Sequence, residues 1–145
     1  MVKITYKGET RDIPKRYIPD TLSSTDRKKQ IKSIFEGTDR PKVNYKERQS
    51  SYTVKFNKKY GGKFKNMSGG KSVENIAKVV GLPFKPLKEI FERGEKAYES
   101  GSRPGVSRTQ WGYGRLYGYL MNNPKVRKAD EDITKKYKIN FKNML

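Results

Sequence analysis

The chain contains no cysteine and no histidine. Their absence removes disulfides, thiolate zinc sites, imidazole metal ligands and catalysis by Cys or His. Long apolar runs are also missing, since none approaches the ~20 residues of a membrane span. The opening stretch MVKITYKGETRDIPKRY lacks the apolar segment of a signal peptide, so the expected product stays inside the cell that makes it or is packaged there. Hydrophobic residues make up only 32% against 34% charged, which implies a lean core and much surface, arm or loop. Acidic residues are few: 15 Asp and Glu face 34 Lys and Arg, for a net charge of +19. The remaining acids, tyrosines and serines show no acid–base pair and no nucleophile with an activating base, so neither an enzyme nor a cofactor is expected. A carboxylate-only metal site is the one catalytic route this residue set leaves.

What is abundant is positive charge, and a surface of this kind attracts phosphate-rich polymers. It is unevenly spread. Residues 1–71 hold 19 basic and 7 acidic residues, residues 72–128 hold 11 and 5, and residues 129–145 hold 4 and 3. The chain length fits one compact domain with extensions. We divide it into a basic N-terminal segment (1–71), a helical core (72–128) and a short C-terminal helix with a loose tail (129–145). The expected fold class is mainly α: a small helical core with a helix-turn-helix-like pair, preceded by an irregular basic N-terminal segment.

In the first segment Val2, Ile4 and Tyr6 alternate as a short strand would. Ile13 to Pro19 then reads as extended, because Pro14 and Pro19 disfavour helix. Ser23 and Asp26 form a capping-box pattern that opens a helix ending at Gly37, with Ile31, Ile34 and Phe35 as a narrow apolar stripe. Between Arg40 and Gly70, basic, aromatic and hydroxyl residues interleave. A helix is expected over 51–60, docked through Tyr52 and Phe56 and stopped by Gly61-Gly62. The candidate phosphate contacts in this half are Lys15, Arg16, Lys28, Lys29, Lys46, Arg48, Lys55, Lys58 and Lys59. The later Gly69-Gly70-Lys71-Ser72 resembles the end of a phosphate-binding loop. The first glycine of that motif is missing and no hydrophobic strand precedes it, so nucleotide hydrolysis is rejected.

The core segment is more specific. Ser72 caps a helix with Val73, Ile76, Ala77 and Val80 that ends at Gly81, and a second helix runs from about Pro86 to Tyr98. A small residue at Ala77, a glycine turn at Gly81 and sealing aliphatics at Leu87 and Ile90 match a helix-turn-helix. The second helix would expose Lys88, Glu89, Glu92, Arg93, Glu95, Lys96 and Glu99, charges that nearly cancel. Only its leading end, Lys85 and Lys88, suits DNA, so the pair reads as architectural more than groove-reading. Gly101-Ser102-Arg103-Pro104-Gly105 follows, where Arg103 would hold a phosphate or a carboxylate, or simply lie in a connecting turn.

Ser107 and Gln110 form a capping box for a helix from Arg108 to about Asn122. Tyr113, Leu116, Tyr117, Leu120 and Met121 would face the core. Gly112, Gly114 and Gly118 suggest close backbone approach by another segment. Trp111, Arg115 and Tyr119 share the other side. They form either a stacking and phosphate-pairing set, with Arg108 nearby, or a structural one in which Trp111 covers the core and Arg115 pairs with Glu95 or Glu99. Asp130, Glu131 and Asp132 would complement the dipole of a last short helix.

The motifs IAKVVGLPFKPLKEIFERGEKAY and SGSRPGVSRTQWGYGRLYGYL, within Ser72 to Asp130, resemble an uncharacterised family of basic proteins of large double-stranded DNA viruses and tailed phages. The matching positions are Arg93, Gly94, Ala97, Tyr98, Ser102, Arg103, Pro104, Trp111 and Arg115, and Arg16-Tyr17-Ile18-Pro19 and Asp26 to Gln30 also look like viral members. The family's glycine-rich stretch after the Trp helix is replaced here by Met121-Asn122-Asn123-Pro124. The resemblance implies a virion or viral DNA setting in an infected host and no reaction. Two functions remain open. One is a virion-associated protein binding nucleic acid, double-stranded DNA first, through backbone phosphates. The other is a structural virion protein, a minor capsid, cement or internal head component, gripping acidic capsid protein surfaces with basic arms.

Overall fold

A computed structural model describes residues 1–42, 50–101 and 104–145 of the chain. The fold is mainly helical, as expected. Contacts group it into two compact units: Met1–Arg48 with Glu95–Trp111, and Gln49–Gly94 with Gly112–Leu145. These units cut across the 1–71, 72–128 and 129–145 division. Phe56, Tyr60 and Phe64 belong to the same core as Ile76 and Leu87, which places the region after residue 49 with the helix pair. Gly101 packs against Tyr17 and Ile34, which places the region after residue 95 with the N-terminal elements.

The first unit opens with a hairpin of β1 (Val2–Tyr6) and β2 (Glu9–Ile13), in antiparallel register from Val2↔Ile13 to Tyr6↔Glu9. The turn residues Lys7 and Gly8 both have positive φ, 46° and 82°, as a two-residue hairpin turn of this twist needs. The segment after it is not extended: Pro14 precedes a 3-10 turn over Lys15–Tyr17. A proline at the head of such a turn lacks only an N–H that the turn does not use. Helix α1 (Ser24–Glu36) has the expected caps. The Ser23 hydroxyl accepts from the Asp26 N–H at 3.1 Å, and Gly37 ends the helix in the left-handed region at φ 68°. Ile4, Ile13, Tyr17, Ile18, Ile31 and Ile34 form the core, with Trp111 half-buried against it and edge-on to Tyr17 at 6.3 Å.

Arg40, which the sequence reading passed over, is buried in this unit. It donates to the carbonyls of Ser33, Thr38 and Tyr98 and lies over the Tyr98 ring at 4.4 Å. Its guanidinium thereby ties the end of α1, Thr38 just past it and the Tyr98 turn together. Burial lowers its pKa from the ordinary arginine value.

The second unit is built on aromatics. Helix α2 (Ser51–Tyr60) has the expected bounds, with Gly61 as its C-cap, and the chain continues directly into a 3-10 turn over Gly61–Phe64. Gly61 keeps right-handed helical angles, so nothing in its backbone breaks the path. Helix α3 (Val73–Val80) has Ser72 as cap and Gly81 as its left-handed end at φ 76°. Helix α4 (Phe84–Ala97) starts two residues before Pro86, whose missing N–H falls in the first turn, where no partner exists. Helix α5 (Arg108–Leu120) leads to α6 (Pro124–Ala129) and α7 (Glu131–Lys136). Phe56 stacks on Tyr117 at 4.4 Å, and Ile76, Val80, Leu87, Ile90, Leu116 and Ile133 close around them. Burial pushes the Tyr117 phenol up to about 12.

Close approach to a helix glycine occurs at Gly118, where a Cβ would lie 3.3 Å from Val126, whereas at Gly114 it would meet nothing within 4 Å. The final residues are not a loose tail. The Leu145 N–H donates to the Val80 carbonyl at 2.9 Å and the Tyr60 hydroxyl donates to the Leu145 carbonyl at 2.8 Å.

Candidate nucleic-acid interface

The Ser50 hydroxyl fixes the start of α2 by accepting from the N–H groups of Tyr52 and Thr53 at 3.1 and 3.4 Å. Phe56, Tyr60 and Phe64, four residues apart, bury one side of the α2 stretch. That spacing turns the intervening Lys58, Lys59 and Lys63 outward. Lys55, Lys58 and Lys59 are exposed on α2, Lys63 and Lys65 follow on the 3-10 turn and just past it, and Lys71 precedes the α3 cap. On a helical projection the three α2 lysines fall within an arc of about 100°. From Ser50 to Val73 there are six lysines and no carboxylate; the first acid is Glu74.

None of these six lysines forms an ion pair among the described residues. Lys55 lies over the Tyr52 ring, Lys59 and Lys63 lie near the Tyr60 ring, and Lys71 donates to the Asn57 side-chain oxygen at 2.5 Å. Such contacts orient an ammonium without neutralising it.

The arginines of this unit behave in the opposite way. Arg115 reaches the two Asp130 carboxylate oxygens from Nε and Nη2, at 3.0 and 2.7 Å. Arg93 donates to Asp130 at 2.9 Å and to Asp132 at 2.9 and 2.5 Å. Asp130 is fully buried, so its charge requires both guanidiniums. The hydrogen bond from Arg93 holds the Asp132 carboxyl down at about 2, and the same contact raises the Arg93 pKa further. Arg127 donates to the Tyr119 and Leu120 carbonyls and lies 3.5 Å over the Phe141 ring.

Two of the expected arginines are already engaged by carboxylates, Arg115 here and Arg108 in the other unit. Arg115 pairs with Asp130, not with Glu95 or Glu99, and is occupied rather than offered to phosphate. Tyr119 is fully buried and shares a 2.6 Å hydrogen bond with Thr134, so it is no stacking platform. The C-terminal half of α5 is buried on more than one side, because Phe141 and Ile133 pack in the same core as Leu116 and Leu120.

The outer side of α4 is likewise engaged. Glu89 accepts from the Tyr137 hydroxyl and from Lys136, and Arg93 is held as above. Lys85 and Lys88 remain exposed at its leading end, with Lys88 4.0 Å from Glu92.

A family model, described as a family of unknown function, matches residues 15–138. The chain belongs to the DUF5824 family. No curated protein and no solved structure matches it. The matched span includes all of the lysine face and the Arg93–Asp130–Arg115 cluster. Among the described residues of this DUF5824 chain, no three acidic side chains come together as metal ligands would.

The remaining expected residues lie in the first unit or outside the description. Lys28 and Lys29 are exposed on α1 together with Lys32, and none of the three has a carboxylate partner among the described residues. Lys15 pairs with Asp20 at 3.2 Å, and Arg16 lies over the Tyr17 ring at 4.8 Å. Arg108 donates to the Glu95 carbonyl and to Glu99 at 3.0 and 3.2 Å, so it takes the carboxylate expected for Arg115. Lys46, Arg48 and Arg103 lie outside the described residues. The reading missed Lys32, Lys63, Lys65 and Lys71. The signal available for the last three was the missing acids between residues 50 and 73, which draws attention to a run and not to any one residue.

Proposed function

We propose that this DUF5824 chain is a virion-associated protein of a DNA virus that holds double-stranded nucleic acid through its backbone phosphates and catalyses no reaction of its own. The observation that carries this reading is the acid-free lysine face from Ser50 to Val73, exposed and without internal ion pairs. Compact ammonium charges on flexible stems suit phosphates, whereas base edges are read mainly by planar, bidentate groups. In this unit the arginines that could supply such forks are bound to Asp130, Asp132 and backbone carbonyls. The viral setting rests on the resemblance carried by the helix-turn-helix-like segment and the Trp helix, and it puts the protein in the virion and inside the infected host cell.

Titration with mixed-sequence duplex DNA tests the reading. If the six lysines each meet a phosphate, log affinity falls against log salt with a slope of about −5, a loss of about 1,000-fold between 50 and 200 mM salt. No duplex binding at 50 mM, with salt-resistant retention on an acidic capsid protein, would replace this reading with that of a structural virion protein.

A further inference from the structure

We propose that the chain is bivalent, with one phosphate-binding face on each compact unit, so that it ties two duplex segments together instead of only coating one. This rests on the phosphate reading above and adds an activity to it. The first face is the lysine run from Ser50 to Val73. The second is on α1, where Lys28, Lys29 and Lys32 fall within an arc of about 100° on a helical projection, away from the buried Ile31 and Ile34. None of these three lysines pairs with a carboxylate among the described residues. One acid, Glu36, also falls within that arc, a turn beyond Lys32 along the helix, and it accepts the Tyr6 hydroxyl.

Each face stands on its own core. Ile4, Ile13, Tyr17, Ile18, Ile31 and Ile34 support α1, while the cluster around Phe56, Tyr60 and Tyr117 supports α2. Each unit is also basic by itself. The first has 16 Lys and Arg against 9 Asp and Glu, and the second 18 against 6, giving +7 and +12. Two faces of the same sign on one chain repel each other and attract the same polymer. Once one face is seated on a duplex, the other remains a second phosphate-binding contact on the same chain. With separate duplexes present, that second contact is a cross-link.

The experiment uses the full chain, a short duplex fixed to beads and a fluorescent duplex free in solution. The wild-type protein should retain the fluorescent duplex on the beads at low salt. K28Q/K29Q/K32Q and K58Q/K59Q/K63Q should each still bind a single duplex with a shallower salt slope, yet lose retention by at least about tenfold. Retention unchanged in either variant would overturn bivalency, because it would assign the cross-link to self-association or to one face alone. Wild-type binding without retention would do the same and leave the phosphate reading intact. Absence of duplex binding in all three proteins would remove that reading and bivalency together.

Discussion

Glutamine at Lys55, Lys58 and Lys59 nearly keeps the helix propensity of each side chain and removes its charge. These residues are exposed, so folding should be unaffected and the change should appear in binding alone. Each lysine seated on a duplex phosphate releases about 0.9 of a counterion, so the triple variant should flatten the log–log salt slope by up to about 2.7. Referred to 1 M salt, where the released ions gain nothing, this corresponds to an affinity loss approaching 500-fold at 0.1 M and only about tenfold at 0.4 M. The loss must therefore shrink as salt rises. Fluorescence anisotropy with a labelled duplex at four or five salt concentrations measures it, with a thermal melt of each protein as the folding control. An unchanged slope would move the interface away from α2. A loss of the same size at every salt concentration would refute the electrostatic reasoning itself.

Three further outcomes follow from the packing. Asp130→Asn leaves two guanidiniums against one neutral amide and should cost about 3 kcal/mol in urea unfolding, the lower end for a broken buried pair because Arg93 and Arg115 keep some access to water. The Asp132 carboxyl, depressed to about 2 by Arg93, contributes stability that is complete above the unfolded-state value near 4 and is lost as pH falls toward 2. Asp132→Asn should flatten the acid limb of a stability-versus-pH curve over that window, with its destabilisation largest at neutral pH and vanishing toward pH 2. Gly114→Ala, at a position where a Cβ meets nothing within 4 Å, should raise the melting temperature through a gain of about 0.5–1 kcal/mol in helix stability.

Local signals carried much of the architecture. Ser23, Gly37, Ser50, Ser72 and Gly81 each cap or end a helix where their chemistry says they should, because a cap is decided within three or four residues of sequence. Strand β2 escaped because Glu9 to Ile13 has one apolar residue; its partner β1 and the Lys7-Gly8 turn create it. The Pro14 turn escaped because prolines were read as breaking helix, while a 3-10 turn tolerates one at its head. The Asp130 cluster was the largest omission. Local reading assigned that carboxylate to a helix dipole, but its partners lie 15 and 37 residues away in the chain, and only tertiary packing brings them to it. Glu99 went to Arg108 and not to Arg115 for the same reason. For the proposed interface, counting lysines picks out the stretch around α2, while the absence of acids and the four-residue spacing of Phe56, Tyr60 and Phe64 account for its exposure.

The division of labour between the two basic residue types has a consequence for how this surface can vary. The arginines of the second unit are part of its scaffold, and changing one disturbs a buried carboxylate or a helix end. The lysines of the outer face make only surface contacts and balance no buried charge. On the proposed phosphate-binding reading they can be added, lost or acetylated one at a time, each step altering the grip on a polyanion by a similar increment while the core stays as it is. Affinity in such a protein is a number that drifts by counting, under selection separate from that on the fold.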